Sequence, residues 1–297
     1  MQALILTLIL TGSALMVANI VFYILFITKM NDVVSGGRKK DQVLLFTGLT
    51  LLVFFLVGYL IIGFSKPDDL VMALVLFFGS VFVTIMLVLT KTLISTAKER
   101  SLQIAQVLID VVDARDPNLH GHSRHVQNLT MCLYRHLPKQ LKSKINPTSL
   151  EYASLMHDVG KLGVPESILN KPGKLDEEEW KVMKNHPKIG VHFLNRVSSF
   201  QKISDWVLYH HERADGKGYY GAAPEITPLA AKIIAVCDTY SAITMKRSYK
   251  EARSHEEAIA IIKEAAGTQL DPTIVDIFTS IPKEELLSCA PEGLGVL

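Results

Sequence analysis

Seven side chains in the last two thirds of the sequence have the types and spacing to hold metal ions. All ten histidines lie beyond residue 119, and five of them occur with two aspartates in helical or helix-terminal contexts. These seven residues are His122, His157, Asp158, His186, His210, His211 and Asp238. Imidazole and carboxylate together suit borderline divalent metals such as iron, manganese, zinc or nickel, whereas magnesium and calcium prefer oxygen ligands alone. The pattern therefore predicts a transition-metal centre.

This set of ligands is larger than one ion can use. If one aspartate bridges, two ions about 3.5 to 4 Å apart can share it, an arrangement that activates water for phosphodiester hydrolysis. Adjacent side chains on a helix diverge by about 100°, so His157 and Asp158 could approach two ions from different directions. Lys161 follows His157 by four residues and would share its helix face, where an ammonium could meet a substrate phosphate. The competing interpretation, polar residues scattered over helix surfaces, is disfavoured because several lie inside apolar helices, where polar groups need partners.

Helices must position these residues, because the sequence beyond residue 98 has helical periodicity and few alternating strand patterns. Four helix starts are marked by capping residues: Asn146 before Pro147, Asp176 with Glu179, Ser254 with Glu257, and Asp271 before Pro272, which opens the last predicted helix. The first of these starts opens the segment PTSLEYASLMHDVGK. Two long loops, GVPESILNKPGK and HERADGKGYYGAAPEITP, are rich in glycine, proline and polar groups. The predicted fold class is all-α.

The first third of the chain is far more apolar than the rest. Three apolar runs, residues 3–27, 43–64 and 70–93, are each near or above the roughly 20 residues that a helix needs to cross a bilayer. They predict three transmembrane helices. The alternatives are a cleaved signal peptide for the first run, which lacks a positively charged start, and a buried helical hairpin for the other two. We expect a transmembrane region at 1–97, a connecting helix at 98–112 that continues out of the membrane, and a soluble helical domain at 113–290.

The charge distribution and the cysteine content predict the orientation in the membrane and argue against nucleic-acid binding and disulfides. The basic residues Lys29, Arg38, Lys39 and Lys40 follow the first apolar run, and Lys98 and Arg100 follow the third. This asymmetry predicts that the soluble domain is cytoplasmic and the N-terminus is outside. The formal net charge is only +2, so no charge pattern indicates a nucleic-acid polymer as partner. The three cysteines, Cys132, Cys237 and Cys289, are too few and too scattered to predict disulfides or a thiolate metal site, and they fit a reducing cytoplasm.

From about residue 113 to residue 278 the chain resembles the HD-GYP domains, bacterial hydrolases of the HD superfamily that open the ring of cyclic di-GMP. The resemblance rests on motifs in the family's order and spacing: DARDPNLHGHSRHV, LMHDVGKLGVPESILNKPGKL, MKNHPKIG, HHERADGKGYY, PLAAKIIAVCDTYSAIT, KRSYKEA and AGTQLDP. The apolar first third has no comparable signature. The resemblance implies an HD-type metallohydrolase domain behind a three-helix transmembrane region.

The same resemblance implies how the ligands divide between two metal ions. His122, His157 and Asp238 would favour one ion, His186, His210 and His211 the other, and Asp158 would bridge them. Iron or manganese is the expected metal, with zinc or nickel as alternatives. Some members of the family hold a third ion with an additional glutamate, but Asn118 stands at that position here, so two ions are expected.

Three basic residues fall on the family's phosphate-binding positions. These are Lys161, Arg247 and Lys250, and Lys161 with Asp158 is expected to take part in catalysis. The family's naming motif ends in proline, whereas this sequence reads GYY and places Tyr220 there. Loss of the fixed proline φ should loosen this loop and alter partner recognition while catalysis is retained.

The implied function is hydrolysis of cyclic di-GMP to pGpG, and to GMP after a second cut, at the bacterial inner membrane. From the apolar runs and the charge asymmetry we expect a multi-pass protein with its catalytic domain in the cytoplasm, and from the continuing helix we expect a homodimer. Proteins of the diguanylate cyclase type are expected partners of the GYY loop. Two alternatives remain open: an HD-type hydrolase of another nucleotide, and a catalytically retired membrane receptor that binds a nucleotide or a partner protein.

Overall fold

The computed structural model describes residues 1–34, 39–65, 69–115, 121–197, 200–245 and 252–291. Within these ranges the chain forms α-helices and two short 3-10 helices, with one isolated bridge between Ala266 and Leu270 and no strand. The predicted all-α class is therefore confirmed. Contacts divide the chain into two units, Met1–Ser101 and Leu102–Leu297.

The first unit holds the apolar helices Gln2–Val34 and Lys39–Ser65 and the first part of the helix Leu70–Arg115. By length and composition, the stretches Gln2–Thr28 and Leu70–Val112 could cross a membrane, whereas the apolar stretch Phe46–Ile61 is shorter. Only 22% and 11% of the two longer windows are buried, which is unlike the core helix of a soluble protein. Two candidate membrane helices are thus present in the described chain, and a third spanning helix stays a prediction.

The second unit is built from short helices around one core. After the helix that ends at Arg115 they are His122–His136, Lys139–Lys142, Pro147–Met156, Glu166–Leu169, Glu177–Met183, His186–Leu194, Ser204–Leu208, Leu229–Thr244, His255–Glu264, Pro272–Thr279 and Lys283–Leu287, with 3-10 helices at Val159–Gly163 and Gln201–Ile203. Ala105, Ile109 and Val112 recur at helical spacing and are buried in this core. Full burial of an aliphatic side chain such as Ile109 contributes about 1.5 to 3 kcal/mol.

The predicted helix starts are confirmed by their caps. The Asn146 side chain accepts a hydrogen bond from the Ser149 amide, and the pairs Asp176 with Glu179 and Ser254 with Glu257 both form complete capping boxes. Asp271 likewise accepts from the Ile274 amide, but the helix that it opens is not the last, because Lys283–Leu287 follows it. That helix is only five residues long and has no side-chain cap, so periodicity gave no signal for it.

The helix that begins at Pro147 ends at Met156, before the His-Asp pair. His157 and Asp158 therefore lie between this helix and the 3-10 helix Val159–Gly163, and the expectation that they share one helix was wrong. Gly160 packs directly on the helix His186–Leu194, where an added Cβ would overlap with the carbonyl oxygen of His186. This close approach requires glycine, and it brings the His-Asp pair beside His186.

Candidate metal centre

The seven predicted ligands come from separate segments of the second unit. His122 and His186 are the first residues of their helices, His210 and His211 follow the helix Ser204–Leu208, and Asp238 lies within Leu229–Thr244. The buried members are His122, His157, Asp158, His186 and His210, each no more than 3% exposed. Burial of polar groups to this degree costs free energy unless hydrogen bonds, opposite charges or a metal ion replace the lost water.

Asp158 lies at the centre of the cluster. Its Oδ1 atom is 3.1 Å from Nε2 of His186 and 3.9 Å from Nε2 of His210, and its Oδ2 atom is 3.3 Å from Nε2 of His157. Two groups have ligand atoms within 4.8 Å of one another: Asp158 with His186, His210 and His211, and Asp158 with His122 and His157. The aspartate expected to bridge is thus the residue that the two groups share.

Asp238 lies beside the second group. Its Oδ1 atom is 3.0 Å from Nε2 of His122, but Asp238 lies farther than 4.8 Å from at least one other ligand atom of each group. The Nδ1 atom of His122 is 2.8 Å from the Ser241 hydroxyl, which is also 3.0 Å from Nδ1 of His125. Ser241 follows Asp238 by three residues on the same helix and orients the histidine that Asp238 contacts.

The hydrogen bonds of three histidines indicate which ring nitrogen faces the centre. The Nδ1 atoms of His157, His186 and His210 lie 2.8, 2.9 and 2.6 Å from the carbonyl oxygens of residues 154, 183 and 207. A carbonyl only accepts, so Nδ1 carries the proton and Nε2 of the neutral ring presents a lone pair. This outer hydrogen bond is the usual support of a metal-ligating histidine.

Four buried atoms of the cluster have no hydrogen bond of acceptable geometry. They are Nε2 of His157, His186 and His210, and Oδ1 of Asp158. Nε2 of His157 and of His186 lie 3.3 and 3.1 Å from the Asp158 carboxylate, and a neutral ring that is protonated on Nδ1 has no proton on Nε2 to donate to it. These lone pairs converge on one region that has no hydrogen-bond donor. A divalent cation could accept them, so the residues fit a metal site.

The electrostatics of the cluster also favour a cation. Burial opposes ionisation of Asp158, but the Lys161 ammonium and His157 hold its pKa well below the usual range. Burial lowers the pKa of His157, yet the carboxylates of Asp158 and Asp238 outweigh it and raise that pKa to about 9. Burial and the neighbouring His186 lower the pKa of His211 to about 3. The carboxylates are thus ionised and His211 keeps a neutral ring, as metal ligands require, whereas His157 without an ion holds a second proton on Nε2 that a bound cation would displace.

Lys161 lies in the 3-10 helix Val159–Gly163, with Nζ 2.6 Å from Oδ2 of Asp158. The expected shared face with His157 is wrong, because the α-helix ends before both residues, but Lys161 does lie at the cluster. Arg247, Lys250 and Asn118 lie outside the described residues.

Sequence reasoning missed the residues that hold the GYY loop. The Glu212 carboxylate is 5% exposed and accepts hydrogen bonds from the amides of Tyr220, at 2.7 Å, and Ala222, at 2.8 Å. The Tyr220 hydroxyl donates to the Lys184 carbonyl at 3.1 Å, and Lys188 Nζ lies 4.6 Å from the Tyr220 ring centroid. Proline could make neither hydrogen bond. A looser loop stays a prediction, but these contacts restrain it by other means.

Tyr219 was also missed as a neighbour of the metal centre. Its ring lies 4.4 Å from the His211 ring between centroids, at an interplanar angle of 37°. Burial raises the pKa of the Tyr219 hydroxyl, so this group stays neutral near pH 7. The position of Glu212 directly after His211 was the one signal in the sequence that could have linked the loop to the centre.

A third group of potential ligands occurs in the second unit. Cys132, His136 and Glu285 have ligand atoms within 4.8 Å of one another. The expectation that the cysteines form no thiolate metal site stays a prediction, although the structure brings Cys132 close to two other potential ligands. All three cysteines are buried and unbridged.

Fold and site together define a class: an all-helical domain with a buried histidine–aspartate centre that could hold divalent metal ions. The chain belongs to the HD domain family, whose sequence profile matches residues 106–274. The family resemblance drawn from the motifs is thereby confirmed.

The relatives of this chain include enzymes named for cyclic dinucleotides. A cyclic di-GMP phosphodiesterase of Vibrio cholerae is 37% identical over 187 residues, which cover 59% of this chain and 38% of the relative. A cyclic di-GMP phosphodiesterase of Thermotoga maritima is 34% identical over 185 residues, 61% of this chain and 50% of the relative. The 3'3'-cGAMP-specific phosphodiesterase 3 of Vibrio cholerae is 37% identical over 163 residues, 54% of this chain and 35% of the relative. The chain thus spans half or less of the length of these relatives.

Proposed function

We propose that this protein is a membrane-anchored, metal-dependent phosphodiesterase that hydrolyses cyclic di-GMP to pGpG, and to GMP after a second cut. The observation that carries the proposal is the buried Asp158 carboxylate, which belongs to both ligand groups. Its Oδ1 atom and the Nε2 atoms of three histidines lie close together without a hydrogen-bond partner. Two ions that share a carboxylate suit the in-line displacement of a phosphodiester. The names of the relatives support cyclic di-GMP as the substrate.

Formal charge supports a substrate with two phosphodiester groups. The seven proposed ligands include two carboxylates, Asp158 and Asp238, and five imidazoles that would bind as neutral rings. Two divalent ions would leave this centre with a formal charge of about +2, and Lys161 adds one positive charge. A cyclic dinucleotide carries one negative charge on each of its two phosphodiesters, so it would nearly neutralise the site.

The ions would lower the pKa of a bound water and take up charge on the phosphoryl oxygens. The protein's own part is to fix the ligands. The carbonyl oxygens of residues 154, 183 and 207 each accept the Nδ1 proton of one histidine, which holds Nε2 towards Asp158. Lys161 lies against Asp158 and is partly exposed, so we propose that it turns its ammonium towards a substrate phosphate. Arg247 and Lys250 are proposed to hold the rest of the dinucleotide.

The number and identity of the ions are also part of the proposal. His122, His157 and Asp238 would hold one ion, His186, His210 and His211 the other, and Asp158 would bridge the two. Iron or manganese suits this mixture of imidazole and carboxylate, with zinc or nickel as alternatives. The distances between ligand atoms support the two histidine groups more directly than they support Asp238, which contacts His122.

We further propose that residues 1–97 anchor the protein in the bacterial inner membrane with three helices. Residues 98–112 would continue the third helix, and residues 113–290 would form the cytoplasmic hydrolase domain. The low burial of Gln2–Thr28 and Leu70–Val112 supports the anchor. Dimerisation through the connecting helix at residues 98–112 and recognition of proteins of the diguanylate cyclase type by the GYY loop are proposed as well. Retention of the full-length chain in membranes washed with alkaline carbonate would support the anchor, and its release would contradict it.

A second candidate keeps the chemistry and changes the substrate. One relative is named for 3'3'-cGAMP, which supports hydrolysis of another cyclic dinucleotide by the same centre. The retired receptor is less favoured, because a binding role would not require Asp158 and the lone pairs of three histidines to converge.

Comparative turnover by the full-length protein tests these functions. The protein is purified without oxygen, loaded with manganese or ferrous iron, and given cyclic di-GMP, 3'3'-cGAMP or cyclic di-AMP. Preferential conversion of cyclic di-GMP to pGpG supports the first proposal, and preference for another substrate supports the second. A variant with both His157→Ala and Asp158→Ala is the control and should be inactive. If the metal-loaded protein cleaves none of the three compounds, both hydrolase proposals are wrong.

A further inference from the structure

The third ligand group lies on a different part of the second unit from the metal centre. Cys132 and His136 are four residues apart in the last turns of the helix His122–His136 and so share one face. Glu285 comes from the helix Lys283–Leu287. Cys132 lies ten residues after His122, which corresponds to about 15 Å along a helix that rises about 1.5 Å per residue. The two sites therefore do not share ligands.

The distances within this group are close to those of a tetrahedral metal site. Nε2 of His136 lies 3.4 Å from Oε2 of Glu285, and Sγ of Cys132 lies 4.0 Å from the same oxygen. Around a tetrahedral zinc ion, with bonds of about 2.0 to 2.3 Å, neighbouring ligand atoms are about 3.3 to 3.6 Å apart. A shift of a few tenths of an ångström in the cysteine–glutamate pair would complete this geometry.

The tautomer of His136 also favours a metal ligand. Its Nδ1 atom lies 3.1 Å from the carbonyl oxygen of Cys132, which only accepts a hydrogen bond. Nδ1 therefore carries the proton in the neutral ring, and the lone pair of Nε2 faces Glu285. The same pattern of a backbone carbonyl behind the ring occurs at His157, His186 and His210 in the metal centre.

Burial and charge in the group suit a divalent ion with affinity for sulfur. Cys132 is fully buried, whereas the side chains of His136 and Glu285 are 31% and 46% exposed, so an ion could enter from solvent and meet the sulfur at the inner end. A thiolate and a carboxylate together would neutralise one divalent charge. Sulfur ligands select zinc over manganese or magnesium.

A second cysteine lies next to the group without being one of its ligands. The Cys289 thiol donates to the Glu285 carbonyl at 3.3 Å, and the Asn128 amide donates to the Cys289 carbonyl at 2.9 Å. The second bond ties the segment after Lys283–Leu287 to the helix His122–His136, and the first joins that segment back to Glu285.

We propose that Cys132, His136 and Glu285 form a separate structural site for a zinc-class divalent ion that fastens the helix Lys283–Leu287 to the helix His122–His136. The fourth tetrahedral position would be taken by water, since two of the three side chains are open to solvent. This site is independent of the proposed hydrolysis.

Cobalt spectroscopy on the full-length protein distinguishes this site from the metal centre. The centre contains no cysteine among its ligands, so a thiolate-to-cobalt charge-transfer band in the near ultraviolet reports only the proposed site. The band should appear in the unmodified protein and in the variant with His157→Ala and Asp158→Ala. It should disappear in Cys132→Ser and persist in the matched control Cys237→Ala, which changes another buried cysteine.

Two variants of the partly exposed ligands test the site even if Cys132→Ser fails to fold. His136→Gln and Glu285→Gln change partly exposed side chains, and each should weaken the cobalt affinity of the thiolate site at least about tenfold. If the unmodified protein has no thiolate band, or if Cys132→Ser retains it, the site does not exist and His136 with Glu285 is only a surface ion pair. Equal cobalt affinity in both glutamine variants and the unmodified protein would also overturn the proposal.

Discussion

Replacement of Glu212 by glutamine should release the GYY loop while the metal ligands stay in place. The Glu212 carboxylate is buried and accepts two backbone hydrogen bonds, from Tyr220 and Ala222. Gly218 packs so closely on this side chain that an added Cβ would lie 2.6 Å from Oε2. The loop therefore packs closely around the carboxylate. Glutamine has the same size but lacks the negative charge and one of the two acceptor oxygens, so this replacement tests the contribution of both.

The size of the effect follows from these two bonds. A hydrogen bond to a charged group contributes about 1.5 to 3 kcal/mol. Glutamine keeps one acceptor oxygen but turns an NH₂ group towards the second amide, so about 2 kcal/mol should be lost. This is a factor of about 30 in the equilibrium between closed and open loop, since about 1.4 kcal/mol corresponds to a factor of ten. For a unit of this size the same loss lowers Tm by about 4 to 8 °C.

Hydrogen exchange measured by mass spectrometry on the segment that holds Tyr220 and Ala222 is the assay. Glu212→Gln should accelerate exchange there by more than tenfold. Glu225→Gln removes the charge of an exposed glutamate in the same loop and is the matched control, with exchange close to that of the unmodified protein. If the two variants exchange alike and melt within about 1 °C of each other, Glu212 does not hold the loop.

Three further predictions concern the same site. Tyr220→Pro removes an amide donor and the hydroxyl bond to Lys184, so we expect faster exchange in the loop, opposite to the effect of the restored proline φ; slower exchange, or a rise of hydrolysis by orders of magnitude, would contradict this view. Ser241→Ala removes the support of the His122 ring and should weaken metal binding about 10- to 100-fold, as measured by competition with a chelator, whereas unchanged affinity would rule out this role. Lys161→Gln should lower turnover at least about tenfold without loss of bound manganese. Full turnover in this last variant would show that the Lys161 ammonium does not act on substrate.

Local signals in the sequence sufficed for the helix starts. Asn146, Asp176, Ser254 and Asp271 all accept hydrogen bonds from the first turn of the helix that follows, and such caps depend only on residues within three positions. The ligand types were also visible, because histidine and aspartate next to apolar residues are rare without a partner.

Tertiary contacts decided what the sequence could not predict. The helix from Pro147 ends early because Gly160 must pack against the backbone of His186, which is far along the chain. The Cys132 group includes Glu285, more than 150 positions away, so the spacing of Cys132 and His136 alone could not predict it. The role of Glu212 depends on the fold of a loop whose residues have no periodic pattern. These features arise from packing between segments rather than from propensity within them.

The most direct test of the account is hydrolysis of cyclic di-GMP by the manganese-loaded, full-length protein, compared with Asp158→Asn in the same samples that are analysed for bound manganese. The account predicts pGpG from the unmodified protein, and no product and markedly less manganese in the variant, because Asp158 is shared by both ligand groups. An unmodified protein that holds manganese and leaves cyclic di-GMP intact would contradict the proposed activity. Full manganese content and full turnover in Asp158→Asn would contradict the central role of this carboxylate.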